Sequence, residues 1–349
     1  MAGYASGEQP DNELTIKLNT NENPYPPSPQ VSSVLSQIKP ESLRRYPPAT
    51  AQKFRQLAAE LHGLDPKNVI ATRGGDELLR LVITTFVDPG EKIGMTDPTY
   101  SLYSVLAQIQ DCPIVNAPLL ADWTLPEEFA QSMNDEKVKL TFLVNPHAPT
   151  GALMPIDQVS KLVSKLNSIL LLDEAYIDFV DHHYQTAQLV KEHDNLIILR
   201  TLSKGYSLAG LRFGYGLADQ SLIAPMLHKT RDSYNLDFIS QQVAEAAIAD
   251  QDHVRENAKK VILERGRLRA ELQILGIHCA DSQANFLLAT IPDSIKFSAA
   301  EVYQKLKDRH VLVRYFNAQR LDNKLRISIG TGEENDQLLS ALVDILKQS

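Results

Sequence analysis

Apolar residues along this chain follow two rhythms. Short runs such as Ile169-Leu170-Leu171-Leu172 and Leu196-Ile197-Ile198-Leu199 stop abruptly at charged or turn residues. Runs of that length, bounded by turn signals, read as buried strands. Between them, stretches such as 52–61 (QKFRQLAAEL), 76–86 (DELLRLVITTF) and 156–166 space their apolar residues three and four apart, the period of a helix with one buried face. In chain order the pattern predicts an extended arm through Pro29, a helix at 31–38 closed by Pro40, and a stiff polar turn at 44–48. A helix at 52–61 follows, stopped at Gly63. Strands at 68–72, 92–96, 140–144, 169–173, 196–200 and 212–218 then alternate with helices at 76–86, 98–109 and 156–166. Such alternation implies stacked βαβ units and a largely parallel sheet covered on both faces, an α/β fold. Beyond residue 249 the rhythm changes: a long charged helix at 250–275, strands at 284–289, 311–316 and 325–330, a helix at 299–309 and a terminal helix from Glu334. This reads as a second, smaller α+β domain.

Composition narrows the function classes. With 349 residues, 43% of them apolar, the chain can bury one large core or two ordinary ones. A net charge of −8 and the lack of a basic stripe argue against nucleic acid as a partner; small anionic ligands need only a local cluster. Cys112 and Cys279 stand far apart without metal-like spacing, which argues against a zinc site and a disulfide framework and suits a reduced, cytoplasmic setting. The first residues carry no basic start or apolar core of a secretory signal. No segment reaches the roughly 18 apolar residues that span a bilayer, so no membrane partner is expected.

In open parallel sheets ligands bind beyond the carboxyl ends of the strands, so the residues after each strand are the candidates. Arg73-Gly74-Gly75-Asp76-Glu77 leads from a strand into a helix. Its glycines and free N–H groups suit a phosphate, and they suit a mere tight turn equally well. Tyr100, at the start of the next helix, could stack on a planar ring or simply pack. The loop 145–151 (NPHAPTG) is punctuation. Asp173 closes an apolar strand, and a carboxylate there is costly without a cation or N–H partner. Lys204 lies just past the following strand, with the hydroxyls of Thr201 and Ser203 beside it and the fork of Arg212 downstream. Alone, each has an ordinary reading; together they occupy successive strand ends.

Asp173-xx-Tyr176, Ser203-Lys204 and Arg212, in that order and spacing, resemble the pyridoxal-phosphate aminotransferases of fold type I. Further stretches at 18–29, 45–48, 75–79, 97–105, 172–179, 200–216, 285–286 and 325–331 are most similar to those of histidinol-phosphate aminotransferases. The resemblance implies a large domain with a mostly parallel seven-stranded sheet at 45–248 and a smaller α+β domain at 249–349. The arm and part of the small domain would occupy 1–44. It implies a pyridoxal 5'-phosphate cofactor, a homodimer, no metal, and amino transfer between histidinol phosphate and 2-oxoglutarate in histidine biosynthesis. Lys204 would carry the cofactor aldehyde and shuttle the proton, Asp173 would pair with the ring nitrogen, Tyr176 would bond the phenolic oxygen and Tyr100 would stack on the ring. Gly75, Asp76, Glu77, Thr201, Ser203 and Arg212 would surround the phosphate, joined by Tyr46 of the neighbouring subunit. Arg314, Arg326, Asn23 and Tyr25 would meet the substrate. By position alone, Arg314 and Arg326 would be strand-end surface charges.

One residue departs from the pattern. The family usually has asparagine immediately before Pro-Thr-Gly, donating to the phenolic oxygen; here Ala148 stands there, preceded by His147. Either Tyr176 then acts alone or His147 substitutes. An aromatic aminotransferase and a threonine-phosphate decarboxylase share these motifs and are the alternative activities. A non-enzymatic binding or regulatory protein of this fold would have lost some of Lys204, Asp173, Tyr176 and Arg212, and all four are here.

Overall fold

A computed structural model describes residues 3–4, 6–10, 14–180 and 183–347. Its strands are β1 (Ile16–Lys17), β2 (Val69–Thr72), β3 (Ile93–Asp97), β4 (Ile114–Pro118), β5 (Leu140–Val144), β6 (Ile169–Asp173), β7 (Leu196–Thr201), β8 (Gly214–Ala218), β9 (His278–Cys279), β10 (Phe286–Thr290), β11 (Val311–Leu312), β12 (Arg314–Tyr315) and β13 (Lys324–Ser328). Its helices are α1 (Pro29–Gln37), α2 (Gln52–His62), α3 (Gly74–Phe86), α4 (Leu102–Ile109), α5 (Phe129–Asp135), α6 (Ile156–Lys165), α7 (Gln220–Pro225), α8 (Phe238–Ala249), α9 (Gln251–Ile274), α10 (Ala299–Lys307) and α11 (Gly332–Leu346).

The main sheet has seven strands in the order β2-β8-β7-β6-β5-β3-β4. The pairs from β7 through β4 are parallel, whereas β8 runs antiparallel to both β7 and β2. The reversal has a local cause: the link 202–213 holds only one 3₁₀ turn (Ala209–Leu211), so the chain folds back without a crossover helix. Side chains alternate across the sheet. Leu170, Leu172, Leu196, Ile198 and Leu217 face one core, where α2, α6 and α8 pack; Leu171, Ile197, Leu199 and Phe142 face the other, under α3, α4 and α7. Burial on both faces is why these strands are continuous apolar runs.

The second sheet is antiparallel, in the order β12-β13-β10-β9, and a third core joins it to α9, α10 and α11. The arm belongs to this part: β1 pairs with β11, and Leu18 is buried in the same core. Farther on, Val31 of α1 belongs to the core of the large sheet. The strand expected at 311–316 is two short strands, one bonded to β1 and one to β13. Helix α3 begins at Gly74, two residues before its expected start, and α4 begins at Leu102, after a turn through Pro98–Ser101. The sequence pattern did not anticipate α8. Its buried face includes the polar Gln241 and Glu245, while Ala246 and Ala249 lie on the less buried side, so residue type does not mark the faces. Among the described residues no helix is long and apolar enough to cross a membrane.

Candidate active site

The parallel strands end at a cavity of about 670 Å³, roofed by the second sheet and the arm. Asp173, Tyr176, Lys204, Arg212, Tyr100 and both Arg314 and Arg326 line it, with Gly75, Asp76, Thr201, Ser203 and Ala148.

One end is shaped by close backbone packing. Gly74 has φ +75°, and a Cβ there would lie 2.8 Å from Arg212 Nη2. A Cβ on Gly214 would lie 2.8 Å from the Gly74 carbonyl carbon and 2.9 Å from Gly75 N. The start of α3 can therefore press against β8, which sets the N–H groups of its first turn at the cavity edge. Arg212, itself left-handed at φ 56°, reaches Asp76 Oδ2 at 3.1 Å, Ser203 Oγ at 3.4 Å and the Ala209 carbonyl at 3.2 Å. Ser203 N donates to Thr201 Oγ1 at 3.1 Å. A helix start, two hydroxyls and a guanidinium on one spot form an anion cradle.

At the cavity floor Asp173 is buried at the end of β6. Its oxygens accept from Tyr103 Oη at 2.8 Å and Ala175 N at 3.0 Å. Burial pushes its carboxyl up to about 6, against the downward pull of those donors. Among the described residues no cationic side chain pairs with it, so the site suits a ring nitrogen that holds a proton. Tyr103 was not singled out in the sequence. It is fully buried, stacked on Phe142 at 4.7 Å, and its position three residues after Tyr100 was the available signal. Tyr100 meets Tyr103 edge-on at 5.5 Å and Tyr4 of the arm at 5.7 Å. No pattern in the sequence pointed to Tyr4.

Lys204 Nζ donates to the Thr20 carbonyl at 2.9 Å. Burial lowers its pKa to about 8, helped by the charges of Arg326, Arg212 and Lys17 and opposed by Glu22. Tyr176 Oη lies 3.0 Å from Asn21 Nδ2. Arg314 and Arg326 are directly opposite one another on β12 and β13. Like charges in that register repel, and Arg326 Nε is buried with no hydrogen-bond partner among the described residues. This pair suits an anionic ligand.

Several expected residues lie elsewhere. Glu77 accepts from Arg73 N and, at 2.9 Å, from Asn235 Nδ2, outside the cavity lining. Asn23 donates to the Gly205 carbonyl at 3.2 Å, and Tyr25 packs under Lys260 with Nζ 5.1 Å from its ring centre; neither lines the cavity. Tyr46 is 81% exposed and stacked on Tyr234 at 4.4 Å, away from its own chain's cavity. His147 cannot replace a donor at position 148. Its Nε2 is 3.0 Å from the Pro98 carbonyl, its Nδ1 is 2.8 Å from Thr150 Oγ1, and burial lowers its pKa to about 4.

Residues 14–342 match the family model described as aminotransferase class I and II. Histidinol-phosphate aminotransferase 1 of Trichormus variabilis is 42% identical over 348 residues, covering 99% of this chain and 97% of that protein. The histidinol-phosphate aminotransferase of Microcystis aeruginosa is 41% identical over 343 residues, covering 98% and 95%. Among solved structures, the histidinol-phosphate aminotransferase of Sinorhizobium meliloti in complex with pyridoxal-5'-phosphate superposes with a TM-score of 0.88 at 25% identity, covering 95% of this chain and 90% of that one.

Proposed function

We propose, from the premise that this chain belongs to the class I and II aminotransferases and within them to the histidinol-phosphate aminotransferases, that it moves the amino group between L-histidinol phosphate and 2-oxoglutarate with pyridoxal 5'-phosphate. The observation that carries the reading is the convergence in one cavity of a low-pKa lysine, a buried carboxylate with no cationic partner among the described residues, an anion cradle and two facing arginines.

Pyridoxal phosphate, when bound, supplies an aldehyde that condenses with amines and a ring that takes up electrons from the substrate carbon. This chain's residues do the rest. The N–H groups of Gly75 and Asp76, the hydroxyls of Thr201 and Ser203, and Arg212 hold the phosphate. Asp173 would keep the ring nitrogen protonated, and Tyr103 and Ala175 hold the carboxylate in place. Tyr176 would donate to the phenolic oxygen, and Tyr100 would pack against the ring. Lys204 Nζ, which lines the cavity, would be the amine that meets the aldehyde and the base that accepts the proton from the substrate carbon bearing the amine. Arg326 and Arg314 bind the substrate phosphate in one half-reaction and a carboxylate of the oxo acid in the other.

The enzyme works as a cytoplasmic homodimer in this reading. The exposed Tyr46 would reach the phosphate of the neighbouring subunit. The chain divides into an arm at 1–44, a cofactor domain at 45–248 and a small domain at 249–349. The test is the visible spectrum of the purified protein while histidinol phosphate, phenylalanine or threonine phosphate is added separately. Histidinol phosphate should bleach the yellow form at the lowest concentration, and 2-oxoglutarate should restore it. Bleaching by phenylalanine alone, or release of carbon dioxide from threonine phosphate, would overturn the assignment.

A further inference from the structure

The hydroxyl of Tyr176 has a direction set from behind. Asn21 is 1% exposed, with its backbone left-handed at φ 56°, and its carbonyl accepts from Asn285 Nδ2 at 2.9 Å. Its backbone N–H donates to Ser328 Oγ at 2.9 Å, and Ser328 Oγ lies 3.1 Å from Asn21 Oδ1. The seryl oxygen thus accepts from the backbone and has one hydrogen to give, which goes to Oδ1. A flipped amide would leave that hydrogen, on a residue 2% exposed, without an acceptor among the described residues. Nδ2 therefore faces Tyr176 Oη, at 3.0 Å. An amide nitrogen donates only, so Tyr176 accepts, and its own hydrogen must point away, into the cavity that it lines.

We propose that Ser328 and Asn21 form a one-way relay that makes Tyr176 a hydrogen-bond donor to the phenolic oxygen of the cofactor, with both as positioning residues. This rests on the reading that pyridoxal phosphate occupies the cavity with that oxygen toward Tyr176. The direction matters here because Ala148, which lines the same cavity, has no side-chain donor, and His147 is turned away. A donor on the phenolic oxygen stabilises its ionised form, and a chain of aligned hydrogen bonds strengthens each link. If Tyr176 were free to accept instead, the ring oxygen would lose that donor.

The test is a pH titration of the visible spectrum of the holoenzyme, without substrate, for the wild type, Ser328→Ala and Ser328→Thr. Ser328→Ala removes a hydroxyl that touches Asn21 and changes no charge. The protonation midpoint of the chromophore should rise by about half a unit to one unit, roughly three- to tenfold in proton affinity. Ser328→Thr keeps the hydroxyl and should return the midpoint to the wild-type value. Asn21→Asp, which puts an acceptor against Tyr176 Oη, should raise it further. A midpoint unmoved in both Ser328→Ala and Asn21→Asp, with the chromophore present, overturns the relay. Absence of any chromophore in the wild type would overturn the cofactor reading instead.

Discussion

Lys204 should titrate near pH 8 in the apoenzyme. Burial disfavours its ammonium, the guanidinium of Arg326 adds to the effect, and Glu22 offsets part of it, so its pKa falls from 10.5 to about 8. At about pH 7.5, roughly a quarter of these amines are neutral, against about one in a thousand for an unperturbed lysine. The nucleophilic form is thereby enriched about 200-fold. Arg326→Gln removes the largest charge contribution, so the pKa should climb back toward that of a free lysine and the neutral fraction should fall. The assay mixes apoenzyme with pyridoxal phosphate at a series of pH values, traps the product with borohydride and quantifies label at Lys204 by mass spectrometry. The initial rate should be half-maximal near pH 8 in the wild type and at higher pH in Arg326→Gln. A wild-type midpoint near 10.5, or the same midpoint in both proteins, would refute the reasoning. The same shift has a sign for stability. The unfolded chain binds this proton more tightly, so the lysine's contribution is present above pH 10.5 and is lost as pH falls through about 8.

Two other substitutions probe the frame around the cavity. Gly214→Ala sets a methyl group 2.8–2.9 Å from the backbone of Gly74 and Gly75. It should cost about 1–3 kcal/mol in a denaturant titration and make the cofactor dialyse out faster; full retention of cofactor would separate this contact from the phosphate cradle. Arg320 donates to the carbonyls of Leu119 and Leu120 at 2.6 and 2.7 Å and lies 4.3 Å over the ring of Trp123, the chain's one tryptophan. It fastens a loop whose Phe316, Asn317, Ala318 and Leu321 line the cavity. Arg320→Ala should shift Trp123 emission and raise the KM for histidinol phosphate roughly tenfold, with a smaller change in kcat, as expected for the loss of charge-assisted bonds. Unchanged emission and KM would show that the clasp does not hold the loop.

Strands β5, β6 and β7 were legible because each is buried on both faces, which leaves an uninterrupted apolar run. Asp173 and Lys204 stood out because polar residues just beyond such runs sit where the sheet ends. Helix α8 was not legible, since buried polar residues and outward alanines blur the period of its apolar face. The direction of β8 depended on how the link 202–213 turns, which its composition does not encode. Local order and chemical type are properties of neighbours in sequence, and a hydrophobic period or a strand-end acid is written there directly. The rest lies in contacts between residues far apart in the chain. Tyr103 supports Asp173 across 70 residues, and Ser328 orients Asn21 across 307. Such pairs form only when separate layers pack, so the sequence by itself could supply the reacting groups while their hydrogen-bond partners, and the placement of Glu77, Asn23 and Tyr25 outside the cavity, came from the folded arrangement.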